Sequence, residues 1–136
     1  MKTVYDTCII IDALQNRVPF YPLAQQLILA AAENRIDAVL TAKALMDIHY
    51  LMRKCLHSEE AARAEIAKLI ELFEIESTTE EDCKEALRSG MSDFEDAAMA
   101  AAAGRIGADF IVTRNVKDYT RSPVPAILPG ELVNRL

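Results

Sequence analysis

The amino-acid sequence predicts an α/β protein in which helices cover both faces of a parallel sheet. Three observations carry that expectation. Short β-branched and aromatic runs, beginning with Lys2 to Tyr5, alternate with longer segments of helical periodicity. Parallel neighbours need crossover connections, and the segments between the strands are long enough to supply them as helices. No linker, repeat or low-complexity tract breaks the alternation, so residues 1–136 are expected to form a single domain.

The elements follow in order. Lys2 to Tyr5 reads as a buried first strand, and Ile9 to Leu14 as a short helix or turn. Pro19 and Pro22 punctuate the entry to a helix over Leu23 to Glu33, where Leu23, Leu27, Ala30 and Ala31 share a face and Asn34 is the stop. Ile36 to Leu40 is a second strand. Thr41 caps a long helix to about Lys54, with Leu45, Ile48, Leu51 and Met52 at helical spacing. Ser58, followed by Glu60 and Ala61, begins a helix to about Leu72, and Phe73 to Glu76 is a third strand. Thr79 opens a helix to Arg88. Ser92 opens another to about Arg105, with Asp93 and Glu95 in its first turn and Gly104 and Gly107 to end it. The small side chains of its Ala97 to Ala103 run let that helix lie close to the sheet. Asp109 to Val112 is a fourth strand, Asn115 begins a short turn or helix, and Val124 to Ile127 is a fifth strand at the sheet edge.

Composition narrows the functional classes. The longest apolar runs, Leu27 to Ala32 and Ala97 to Ala103, fall far short of the ~20 residues that span a bilayer. The N-terminus enters a strand directly, without a basic start followed by an apolar stretch, so no secretion signal is read and a cytoplasmic location is expected. Cys8, Cys55 and Cys83 are odd in number and widely spaced, which fits reduced thiols. With His49 and His57 they complete no zinc pattern. The net charge of −6 argues against a dedicated nucleic-acid binder with a basic face, and fits an acidic metal site or a basic partner segment.

Ligands of open parallel sheets bind beyond the carboxyl ends of the strands. Polar residues gather there. Strand one ends at Asp6-Thr7, and strand two leads through Thr41 into the helix carrying Asp47. Strand four ends at Thr113-Arg114-Asn115, with Asp118 just beyond. The helix before it opens with Ser92-Asp93-Phe94-Glu95-Asp96, in which Asp93 and Asp96 share a face. Carboxylates gathered in one place repel each other, and a divalent cation relieves the repulsion. Carboxylate and water ligands suit Mg²⁺ and Mn²⁺, which activate water and neutralise charge on a phosphoryl group.

Three stretches carry a resemblance to a known family. They are Val4-Tyr5-Asp6-Thr7-Cys8-Ile9-Ile10, Asp93-Phe94-Glu95-Asp96-Ala97, and the segment from Ala108 to Tyr119 that includes Thr113-Arg114-Asn115-Val116-Lys117-Asp118. Together they resemble the PIN domain family over nearly the full length. The resemblance implies a three-layer α/β/α sandwich with a five-stranded parallel sheet, an acid cluster binding Mg²⁺ or Mn²⁺, and ribonuclease activity. Many small bacterial members are VapC-type toxins neutralised by an antitoxin, and homodimers are common among them. A small basic antitoxin and an RNA substrate are the partners this implies.

Carried over residue by residue, Asp6 matches the first acid and Asp96 the third. Asp93 is either a ligand, a holder of water, or a helix N-terminal charge. Asp47 stands where the family usually has Glu, one methylene longer, and reaches a metal through water or is a solvated helix charge. At the fourth position Asn115 replaces an acid, and Asp118 is the alternative source of that charge. Thr7 and Thr113 support the cluster; Thr113 either holds a water or a phosphate oxygen or merely ends its strand. Cys8 replaces an Asn that orients the first acid, and a thiol is a poor substitute. No histidine lies nearby in sequence to activate Cys8 as a nucleophile. Lys43, Arg114, Lys117 and Arg121 flank the motifs and are expected to contact the RNA backbone.

Two other readings compete. A phosphoryl-accepting receiver domain shares the parallel sheet and acidic cleft but needs paired acids after strand one and an aspartate ending strand three. Here Asp6 is single and strand three ends in Glu76-Ser77. A catalytically degenerate PIN fold that only binds RNA or protein is favoured by the departures at Cys8, Asp47 and Asn115.

Overall fold

The computed structural model covers residues 1–136 and shows five parallel strands in the order β3-β2-β1-β4-β5. The strands are β1 (Lys2–Tyr5), β2 (Asp37–Thr41), β3 (Glu74–Glu76), β4 (Phe110–Val112) and β5 (Ala126–Ile127). The helices are α1 (Thr7–Leu14), α2 (Tyr21–Ala32), α3 (Ala42–Leu56), α4 (Glu59–Leu72), α5 (Glu80–Arg88), α6 (Phe94–Arg105) and α7 (Pro129–Val133). A 3₁₀ turn spans Val116–Tyr119. None of these helices is long and apolar enough to cross a membrane.

Side chains of a strand alternate between faces, and that alternation divides the core into two layers. Tyr5, Leu40, Val112 and Ile127 pack among Ile9, Ile10, Leu27, Ile48, Leu69 and Leu132, from the α1–α4 and α7 side. Val4, Val39 and Ile111 point the other way, onto Ala100 and Ala103 of α6. The result is the α/β/α sandwich expected from the sequence. The alanine run behaves as read, because Ala97, Ala98, Ala100, Ala102 and Ala103 are buried and nothing larger holds the helix off the sheet. Tyr5 is fully buried yet satisfied: its hydroxyl donates to the Leu27 carbonyl at 2.9 Å and its ring meets Phe73 edge-on.

Local rules place most boundaries. Thr41 and Ser58 accept from the backbone N–H of Ala44 and Ala61, fixing the starts of α3 and α4. Thr79 and Asp82 form a reciprocal capping box at α5. Asn34 stops α2 with φ 56°.

Some expectations are corrected. Asp93, not Ser92, caps α6, because its Oδ1 accepts the Asp96 N–H at 2.8 Å and leaves Asp93 outside the first turn. Asn115 does begin a short turn, as expected, but its side chain makes no cap. Pro129 opens α7, an element with no periodicity long enough to read from sequence.

Two ionic contacts lock the layers. Arg105, at the end of α6, donates to Glu76, to the Ser77 carbonyl and to both oxygens of Asp82, tying α6 to β3 and α5. Burial opposes ionisation of Asp82, yet the bonds from Arg105 and Thr79 outweigh it and hold its pKa below the ordinary carboxylate value. On the opposite layer, Asp12 is fully buried in α1 and is met by Arg114 at 2.6 and 3.3 Å, while the guanidinium lies 3.9 Å above the Phe20 ring. Arg114→Ala would leave a buried carboxylate without its partner and is expected to destabilise the fold by about 3 kcal/mol. Urea unfolding checks this, and Asp12→Leu with Arg114→Met should recover much of the loss.

Candidate active site

The strand order reverses between β1 and β4, since β1 leads outward to β2 and β3 while β4 leads to β5. Such a switch point leaves a crevice at the carboxyl ends of the two strands. Register puts Tyr5 beside Val112, so Asp6 and Thr113 emerge side by side. The Asp6 N–H donates to the Val112 carbonyl at 3.0 Å, and the buried Thr113 hydroxyl donates to Asp6 Oδ2 at 2.7 Å. Thr113 Oγ1 accepts in turn from the Asn115 N–H at 3.0 Å.

Burial raises the pKa of Asp6, and bonds from Thr113, the Thr7 backbone and Cys8 pull it back. Cys8 lies beside this pair, its Sγ 3.9 Å from Thr113 Oγ1. Burial and then the charge of Asp6 push its thiol up to about 11, so it stays protonated and is no nucleophile at neutral pH.

Asp96 sits in the first turn of α6, across the crevice. Its pKa is pushed up to about 6, first by burial and next by the charge of Asp93, with Asp6 and Asp118 adding to it. The Tyr119 hydroxyl donates to Asp96 Oδ1 at 3.1 Å and offsets part of that rise. Tyr119 is itself buried, at the end of the 3₁₀ turn that also carries the exposed Asp118. Three of the acids read from the sequence therefore act on the fourth: Asp93, Asp6 and Asp118 all raise the pKa of Asp96. Asn115 is exposed and reaches the site only through its backbone.

Asp47 stands apart from this group. It lines the same cleft of about 490 Å³ as Asp6, Thr7 and Asp96, but Lys43 is hydrogen-bonded to it and also faces Glu95 at 3.6 Å. Burial works against the charge on Lys43, yet Asp47 and Glu95 outweigh it and raise its pKa.

The expected RNA-contacting cations fare differently. Lys43 faces the cleft but is paired. Arg114 turns inward to Asp12, because a carboxylate buried in an apolar helix requires a cation. Arg121 donates to the Gly90 carbonyl at 3.4 Å, and the exposed Lys117 makes no ion pair. Sequence reasoning missed Asp12, whose signal was one acid inside the run Ile9-Ile10-Ile11-Asp12-Ala13. It also missed Tyr119 as a partner of Asp96, and nothing in spacing points to that contact.

No three histidine, cysteine or acidic side chains converge tightly enough to ligate one ion unaided. The donor set is nonetheless all oxygen, with unrelieved negative charge centred on Asp96. That suits a hard divalent cation such as Mg²⁺, which keeps several waters and takes only one or two carboxylates directly.

A family model described as PIN domain matches residues 2–117. The chain belongs to the PIN domain family. No curated protein matches the sequence. Among solved structures, this PIN domain is similar to the DNA-bound VapBC of Salmonella typhimurium, at 17% identity and TM-score 0.71, covering 95% of this chain and 98% of that one. It is similar to a toxin–antitoxin complex from Klebsiella pneumoniae, at 22% identity and TM-score 0.69, covering 93% and 97%. It is also similar to the sarcin–ricin loop cleaving toxin VapC20 of Mycobacterium tuberculosis, at 15% identity and TM-score 0.63, covering 80% and 86%. At these identities the likeness establishes the fold.

The acid cluster has a consequence for the metal-free protein. With a folded pKa near 6 against 3.8, Asp96 keeps a proton that the unfolded chain has released. Stability from this group is therefore present at low pH and lost as pH rises through 4 to 6. Because Asp96 is partly open to solvent, the loss is screened to about 1 kcal/mol. Asp96→Asn should raise the Tm of metal-free protein at pH 7 by a few degrees, with little gain at pH 4. An unchanged or lower Tm at pH 7 would refute the repulsion.

Proposed function

We propose that this PIN domain is a metal-dependent endoribonuclease whose acids hold Mg²⁺ or Mn²⁺ beside a scissile RNA phosphate. The observation that carries the reading is the electrostatic convergence of Asp6, Asp93, Asp96 and Asp118 at the switch point, where Asp96 is pushed up to about 6. A cluster left in that state is stabilised by a cation, whereas a merely structural one would be paired.

Asp6 and Asp96 would hold the ion, Asp93 and Asp118 would hold its waters or complete its shell, and Asp47 would act from across the cleft. A bound divalent ion supplies an activated water and neutralises charge on the phosphoryl group under attack. The chain's own groups set the geometry. Thr113 fixes the Asp6 carboxylate by a hydrogen bond, and Tyr119 does the same for Asp96. The Cys8 thiol, pushed up to about 11, stays protonated and forms no covalent intermediate.

Similarity to a toxin that cleaves the sarcin–ricin loop supports RNA as the substrate class. Similarity to toxin–antitoxin complexes supports a toxin role with an antitoxin partner. The net charge of −6 suits a small basic antitoxin. A homodimer is the assembly the family resemblance implies.

Labelled single-stranded RNA incubated with Mn²⁺ should be cleaved by the wild type and not by Asp96→Ala, leaving 5′-phosphate and 3′-hydroxyl ends. Cyclic phosphate ends would instead indicate attack by the RNA's own 2′-hydroxyl. No cleavage, with no Mn²⁺ binding by calorimetry, would favour the degenerate binding module. A separate measurement addresses positioning: Tyr119→Phe should weaken Mn²⁺ binding by about 10-fold while the far-ultraviolet circular dichroism is unchanged. Equal affinity would remove Tyr119 from the metal's surroundings.

A further inference from the structure

We propose that Phe94 and Met46 form an apolar wall on which an unpaired nucleobase stacks, so that the strand is held by stacking more than by cation–phosphate contacts. The proposal rests on the ribonuclease reading and names what grips the substrate in that same cleft.

Both side chains line the cleft that holds Asp6 and Asp96, and Ala98 and Met99 continue the surface inward. Phe94 is 49% exposed and Met46 70% exposed, and neither belongs to a core cluster. The fold therefore does not use them, although α6 and α3 hold them in place. Large apolar groups left in water at a cleft mouth mark a binding surface. A ring and a thioether suit a flat, polarisable partner, and every base offers such a face. Phe94 lies between Asp93 and Asp96 in sequence, so a base on its ring sets the neighbouring phosphate beside the acids.

Charge favours a base over the backbone as the point of grip. The lysine that lines the cleft, Lys43, is engaged by Asp47 and Glu95, and Arg114 by Asp12. The remaining field is that of the carboxylates. A strand bound by many phosphate contacts would need several free cations, and of the four that flank the motifs only Lys117 and Arg121 make no ion pair.

The test is steady-state cleavage of labelled single-stranded RNA in Mn²⁺ by the wild type, Phe94→Ala and Phe94→Trp. Phe94→Ala is expected to raise KM about 10-fold with kcat nearly unchanged, and Phe94→Trp to restore KM. Wild-type KM should rise less than about 10-fold between about 50 and 200 mM salt, where six or more phosphate contacts would give about 10³-fold. The chain has no tryptophan, so the single indole of Phe94→Trp reports stacking directly. RNA should quench it, and the same RNA with an abasic nucleotide at the cleaved step should quench it less.

Wild-type cleavage with an unchanged KM in Phe94→Ala overturns the wall and leaves the nuclease standing. So does equal quenching by the abasic strand, or a steep salt dependence. Selective quenching without wild-type cleavage keeps the wall and removes the catalysis. Neither cleavage nor quenching overturns both.

Discussion

The hydrogen bond from Thr113 to Asp6 closes the gap that opens where the sheet reverses direction, and the site is organised around it. Main-chain pairing of β1 with β4 ends with the Asp6 N–H on the Val112 carbonyl. Beyond that point the two chains diverge, β1 into α1 and β4 into the loop before the 3₁₀ turn. Thr113 holds them together at 2.7 Å, and the pair Asp12–Arg114 holds them again farther along α1. Both links join residues more than a hundred positions apart in sequence. The crevice is thus laced shut on one side by a neutral donor and a buried ion pair, and left open on the other, toward Asp96 and α3.

The distribution of charge follows from that lacing. Asp12 and Asp82 are buried but matched by Arg114 and Arg105, and Asp47 is matched by Lys43. These acids cost the fold little because their cations are in place. Asp96 has no cation, only the Tyr119 hydroxyl, and it faces Asp93, Asp6 and Asp118. A protein that pairs its buried carboxylates and leaves the half-buried Asp96 among like charges has set aside stability at that spot. Functional clefts are where such conflicts concentrate, because a field of like charge favours a bound cation.

The fold was legible because it rests on short-range signals. Periodicity found the strands and the longer helices, and hydroxyl caps at Thr41, Ser58 and Thr79 gave their starts within a residue or two. The exceptions share a cause. Asp93 took the cap of α6 from Ser92 because either side chain can accept the same N–H, and only the backbone path decides. α7 spans one turn or so, too short for a period to show. At the site, the acids could be named from strand ends and helix starts, since those positions converge by topology. Their partners could not. Tyr119 meeting Asp96, and Arg114 meeting Asp12, are contacts between separate layers, and no spacing rule spans that distance.

Arg114 shows how such a contact changes function as well as stability. Read along the chain, it is a cation beside the acid motif and suits a phosphate. In the fold it is paired with the buried Asp12 and stacked on Phe20. Lys43 is likewise spoken for by Asp47 and Glu95. What the cleft still offers a ligand includes carboxylate oxygens and the apolar faces of Phe94 and Met46. A net charge of −6 therefore does not oppose a nucleic-acid substrate here. On the ribonuclease reading proposed above, it shifts the means of holding one, from long-range attraction of the backbone to a cation shared with the phosphate and contact with the base.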